Sequence, residues 1–169
     1  MTTMRPLVLS VAWAFACSSW TAAVVPVHPD FDPWQLFGWW NPICLVTDIN
    51  TVDLSIVGKM ITPLENGDLD IDFEYVKGGK CFVNVNRFLS SKLPGIFVSD
   101  KGYVIHIVET DYEEYNIFHM DIKGQKILYL DSRETTVSVA VRNRFKNMAT
   151  ALGFAVGKIL YMPQNVPCL

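Results

Sequence analysis

The chain has 169 residues, a length that suits one domain, and half of them are apolar. Its 17 acids against 14 Lys and Arg give a formal net charge of −3. No block of basic residues occurs, which excludes nucleic acid and anionic membrane surfaces as partners. At the amino end, Met1–Ala23 carries one charge, Arg5, then the apolar run Pro6–Ala16, then small residues. That order predicts a secretory signal peptide over residues 1–23, cleaved near Ala23. The run is shorter than the roughly 20 residues a spanning helix needs, and no later run reaches that length, so the chain is not membrane-spanning. Residues 24–169 then form one mature domain. No Asn-x-Ser/Thr acceptor occurs in it, so no N-glycan is expected.

Phe31–Trp40 (FDPWQLFGWW) opens the ordered part. Asp32 can cap and Pro33 suits a first helical position, but Gly38 allows only about a turn. Trp39 and Trp40 then start an extended run. Pro42 falls early in it; proline donates no ladder hydrogen bond, so this strand is expected to be bulged or partly unpaired there. Asp53–Thr62 and Asp68–Tyr75 flank Asn66-Gly67, the strongest short hairpin signal. In Asp68–Tyr75, Leu69, Ile71, Phe73 and Tyr75 alternate with Asp68, Asp70, Asp72 and Glu74. That is a half-buried strand with one solvated acidic face rather than a metal site.

Turns at Lys77–Lys80, Pro94-Gly95, Asp100–Gly102, Asp111–Glu114 and Lys123–Gln125 separate further strands: Cys81–Phe88, Ile96–Ser99, Tyr103–Glu109, Tyr115–Ile122 and Lys126–Asp131. In Tyr103–Glu109, His106 shares its parity with Val104 and Val108, which assigns Tyr103, Ile105 and Ile107 inward. Eight short strands on hairpin-length links are the pattern that closes an antiparallel up-and-down β-barrel, which removes exposed sheet edges. The period then switches. Val137, Val141, Phe145, Met148 and Leu152, with Val139 and Ala149 alongside, fall at helical spacing. A helix over Thr135–Gly153, capped by Thr135 or Thr136, packs that stripe outside the barrel and leaves Arg142, Arg144 and Lys146 solvated. A short ninth strand, Lys158–Met162, precedes the tail.

Of the four cysteines, Cys17 leaves with the signal. Cys44, Cys81 and Cys168 remain, an odd number that predicts one bridge and one free thiol. Spacing alone does not choose the pair. No metal-type Cys/His spacing appears, no Ser-His-Asp arrangement stands out, and His28, His106 and His119 read as surface or core histidines. The expectation is therefore no catalytic residue, no metal and no cofactor.

Three short motifs occur in order with strands between them: Gly38-Trp39-Trp40, Thr110-Asp111-Tyr112, and Arg133 after the eighth strand. Together with the strand–helix order they resemble the lipocalin family. The chain looks most like the epididymal and prostaglandin-D-synthase-like branch, through NGDLDIDFEY, VETDYEEY and the late LGF. The resemblance implies that Gly38, Trp40, Thr110, Asp111, Tyr112 and Arg133 meet at the closed end of the barrel as a structural cluster, with Arg133 stacked on Trp40. It implies a Cys81–Cys168 disulfide. It also fixes the inward parity of the last strands, Phe118 and Met120 with Ile127 and Tyr129.

An eight-stranded barrel has just enough interior for one small ligand. Inward Ile71, Phe73 and Tyr75, Tyr103, Ile105 and Ile107, Phe118 and Met120, and Ile127 and Tyr129 would line it. Aromatics with few polar groups suit a small lipophilic molecule such as a retinoid, fatty acid, steroid or odorant. The expected function is a secreted, monomeric carrier of such a molecule. The alternatives are a protein-binding lipocalin, acting on a cell-surface receptor or as an inhibitor, and an isomerase. The isomerases of this branch use a cysteine on the second strand, where this chain has Val57. Cys44 shares Trp40's parity, which would point it inward.

Overall fold

The computed structural model describes residues 24–49 and 56–164. The expected signal segment, the first residues of the expected second strand (Asp53–Ser55) and Cys168 lie outside the described residues. The fold starts at Asp32, whose carboxylate accepts the Trp34 amide at 3.0 Å and caps a 3-10 turn over Pro33–Leu36. Gly38 follows with φ 113°, a conformation that L side chains rarely adopt, and turns the chain into strand β1 (Gly38–Thr47).

Seven strands follow in hairpin order: β2 (Ile56–Pro63), β3 (Leu69–Lys77), β4 (Lys80–Ser90), β5 (Ile96–Ser99), β6 (Tyr103–Thr110), β7 (Tyr115–Ile122) and β8 (Gln125–Ser132). Each pairs antiparallel with the next. β1 closes the ring: Gly38–Trp40 pair with β2, and Asn41–Thr47 pair with β8. The result is a closed eight-stranded antiparallel barrel. A two-residue β9 (Leu160–Tyr161) adds to β1 opposite Cys44 and Leu45. The Asn66-Gly67 hairpin sits where its dipeptide puts it. The Gly67 amide donates to the Leu64 carbonyl at 2.9 Å, and Gly67 has φ 87°.

The barrel wall separates two apolar clusters. One fills the interior; the other lies between the outer face of β1, β6, β7 and β8 and helix α1 (Val139–Ala151). α1 buries Val141, Phe145 and Ala149 against the wall, with Val137 just ahead of it. Its amino end differs from expectation. Ser138, not Thr135 or Thr136, caps it, with the hydroxyl accepting the Val141 amide at 3.3 Å. Val139 is 71% exposed, because it precedes Val141 by two residues, about 200° around the helix from the buried stripe. The ninth strand also begins later than expected, since Val156–Lys158 form a 3-10 turn. Among the described residues no helix is long and apolar enough to cross a membrane.

Two corrections concern side-chain direction. The ladder between β1 and β8 shifts register between Pro42 and Cys44, the bulge that Pro42 demands. Trp40 before it and Leu45 after it both face the interior. Cys44 therefore faces outward, buried beneath α1 beside Val46 and Leu128, and not inward as simple alternation from Trp40 implies. Asp68 also leaves the solvated acidic face: it is buried in the hairpin, where one oxygen accepts the Ser90 amide at 2.8 Å and the other the Asn66 side-chain amide at 2.7 Å.

Candidate ligand-binding site

Arg133, just past β8, organises the closed end of the barrel. Its guanidinium carbon lies 3.8 Å from the centroid of the Trp40 ring. Nη1 donates to the carbonyls of Phe37 (3.0 Å) and Trp39 (3.2 Å), Nη2 to Gln35 (3.0 Å) and Nε to Tyr112 (3.1 Å). Gly38 lies against it: a Cβ there would meet Nη1 at 3.1 Å. The Trp40 indole donates to the Leu36 carbonyl at 2.9 Å, and the Tyr112 hydroxyl accepts the Asp32 amide at 3.0 Å. Thr110 donates to the Tyr115 carbonyl at 2.7 Å, and Asp111 accepts the amides of Glu113 (3.2 Å), Glu114 (2.8 Å) and Tyr115 (3.0 Å). These hydrogen bonds all run to backbone groups of the protein, which is the chemistry of a plug rather than of a ligand site.

The interior lies above this plug. Ile71, Ile105, Ile107, Phe118, Met120, Ile127 and Tyr129 are buried in one cluster, with Phe73 and Tyr103 packed against it. Tyr75 stands apart, stacked on Phe82 of β4 with ring centroids 5.5 Å apart. Phe118 and Tyr129 stack at 4.8 Å with their planes 13° apart. A cavity is lined by Ile71, Ile105, Ile107 and Phe118 from this set, and by Leu36, Lys59, Ile61, Leu69 and Asn116. It is narrow. It has room for about one water. A larger guest must displace side chains.

Lys59, Asp131 and Asn116 are polar residues in this apolar interior that the reading from sequence missed. Lys59 is 1% and Asp131 0% exposed, and Lys59 Nζ lies 2.6 and 2.8 Å from the two Asp131 oxygens. The same ammonium sits 4.6 Å from the Phe118 ring centroid and 4.4 Å from that of Tyr129. Burial pushes the Lys59 pKa down and that of Asp131 up, and each is opposed by attraction to the other. Asn116, directly across the ladder from Asp131, is 0% exposed, and among the described residues neither Oδ1 nor Nδ2 has a hydrogen-bond partner. The signal was parity: Lys59 is in step with Ile61, Asn116 with Phe118, and Asp131 with Tyr129.

Comparison with known proteins agrees with this architecture. The family described as Lipocalin / cytosolic fatty-acid binding protein matches residues 53–166. A lipocalin of Rhinella marina is 29% identical over 98% of both chains. Epididymal secretory protein 4 of Zootoca vivipara is 27% identical over 83% of each chain. A prostaglandin-H2 D-isomerase of Sus scrofa is 24% identical over 88% of this chain and 87% of its own.

Proposed function

Because the chain belongs to the lipocalin / cytosolic fatty-acid binding protein family, we propose that it is a secreted carrier that holds a small lipophilic molecule inside the barrel, without covalent chemistry. The observation that carries this reading is the interior itself: inward faces of the strands converge on an apolar cavity closed at one end by the Trp40–Arg133 plug. Burial of apolar ligand surface there supplies the binding energy. Secretion rests on the Met1–Ala23 pattern, and amino-terminal sequencing of protein from an expressing cell's medium tests it. The Cys81–Cys168 bridge belongs to the same reading. Cys81 is bonded rather than free, and peptide mapping under non-reducing conditions identifies its partner.

A non-enzymatic role is supported by Val57 at the position of the branch's nucleophile and by the placing of Cys44. That thiol faces away from the cavity, and burial pushes its pKa up to about 12. A second reading, recognition of a protein such as a receptor, draws on exposed Val83, Val85 and Leu89 on the outer side of β4, with Val98 of β5 beside them.

Tryptophan fluorescence tests the carrier reading. Trp40 is fully buried in the interior cluster, whereas Trp34 and Trp39 are partly exposed. Titration with retinoic acid, fatty acids and steroids should quench a blue-shifted emission. Flat curves for all three classes, alongside capture of one protein partner, would replace the carrier reading with the second.

A further inference from the structure

We infer that the cavity receives its guest polar end first, and that this end is uncharged: a hydroxyl or carboxamide that hydrogen-bonds to Asn116. The inference rests on the carrier reading and specifies the ligand class of the same cavity. A buried amide with neither polar atom paired is rare, because leaving the group unsatisfied forfeits its hydration. Asn116 lines the cavity, is 0% exposed and has both Oδ1 and Nδ2 unpartnered among the described residues. It therefore offers one acceptor and one or two donors to whatever fills the space. Leu36, which also lines the cavity, belongs to the turn that plugs the closed end, and Asn116 lies directly across the ladder from Thr110 at that same end. A chain-like guest that reaches Asn116 thus has its polar group at the floor and its tail toward the open mouth.

Charge selects among polar ends. Lys59 lines the same cavity but is already matched by Asp131, so the pair sums to zero however its proton is shared. A carboxylate entering beside it would add a buried charge with no partner, which is costly. A neutral donor–acceptor end adds none, and it satisfies Asn116.

Octanol, octanamide, octanoate and octane test this with the full secreted protein and with Asn116→Leu, by calorimetry for the soluble ligands and headspace partitioning for octane. At pH 7.4 the wild-type protein should bind octanol and octanamide at least about tenfold more tightly than octanoate. Asn116→Leu should lose about tenfold for the alcohol and the amide, the equivalent of one hydrogen bond, while holding or gaining affinity for octane. Should the leucine variant fail to fold by circular dichroism, Asn116→Ala serves in its place. Binding of all four with the same ratios in wild type and variant would overturn the polar-end assignment and leave the carrier reading standing, with a lone water on Asn116. Binding of none by either protein would overturn both.

Discussion

Lys59 and Asp131 touch at 2.6 Å although their strands, β2 and β8, are not neighbours: β1 runs between them. The pair thus bridges the strand that closes the barrel, from inside. Two groups taken this far from water gain little from each other beyond their desolvation cost, but either one alone is expensive. Lys59→Met should cost about 3–5 kcal/mol, measured by denaturant unfolding at pH 7. The loss should shrink as pH falls and the orphaned Asp131 takes up a proton. The double variant Lys59→Met/Asp131→Leu should recover most of the stability, and a double variant as unstable as the single one would contradict this account.

Arg133 makes a prediction of a different kind, since its value lies in shape. Its fork reaches four carbonyls while its plane lies on Trp40. Lysine keeps the charge but loses the plane and most of the donors. Arg133→Lys should lower stability by about 2–3 kcal/mol, or about 5–10 °C in a thermal melt of a domain this size. A melt within a degree of wild type would show that charge alone suffices.

On the outer face, His106 and His119 meet edge to face at 5.8 Å, and each has a buried Nδ1 without a partner among the described residues. Burial, followed by repulsion from His106 and Lys126, lowers the His119 pKa from 6.5 to about 4. Because the folded value lies below the unfolded one, protonation favours the unfolded chain. The stability contributed by neutral His119 is complete above about pH 6.5 and is lost as pH falls toward 4. Unfolding midpoints recorded from pH 7.5 to 4 should decline over that window, and His119→Phe should flatten the decline.

Cys44 should be a poor nucleophile. It is 3% exposed and its pKa is about 12, so at pH 8 almost none is thiolate. A maleimide or disulfide reagent should modify it on the order of a hundredfold more slowly in the native protein than in denaturant. Rapid native labelling would place the thiol at the surface instead of under α1.

Much of this fold is legible from local signals. Alternation and Gly-containing turns place β5 and β7 at their observed ends, and Asn66-Gly67 fixes the β2–β3 hairpin. The limits of that reasoning are physical. Strict alternation fails wherever a bulge inserts a residue, and Cys44 lies just past the one at Pro42. Polar side chains are assigned to water by default. An inward set built from apolar residues leaves out Lys59, Asn116 and Asp131, although their parity with Ile61, Phe118 and Tyr129 points in. What keeps Lys59 and Asp131 inside is a partner 72 positions away in sequence, which no local pattern reveals. The start of α1 escapes for a related reason: Thr135 and Thr136 can cap as well as Ser138 in isolation, and the loop leaving β8 decides among them.

The pairing around β1 has a mechanical outcome. Among the described residues β1 meets β2 at only three register positions, Gly38 to Trp40, whereas β3 and β4 share nine. Beyond Trp40 the free side of β1 is taken up by the two residues of β9. The wall therefore has a seam, held by few backbone bonds and riveted from within by Lys59 and Asp131. Among the described residues that line has the shortest ladder between consecutive long strands, and its amides should be the first in the wall to exchange with solvent.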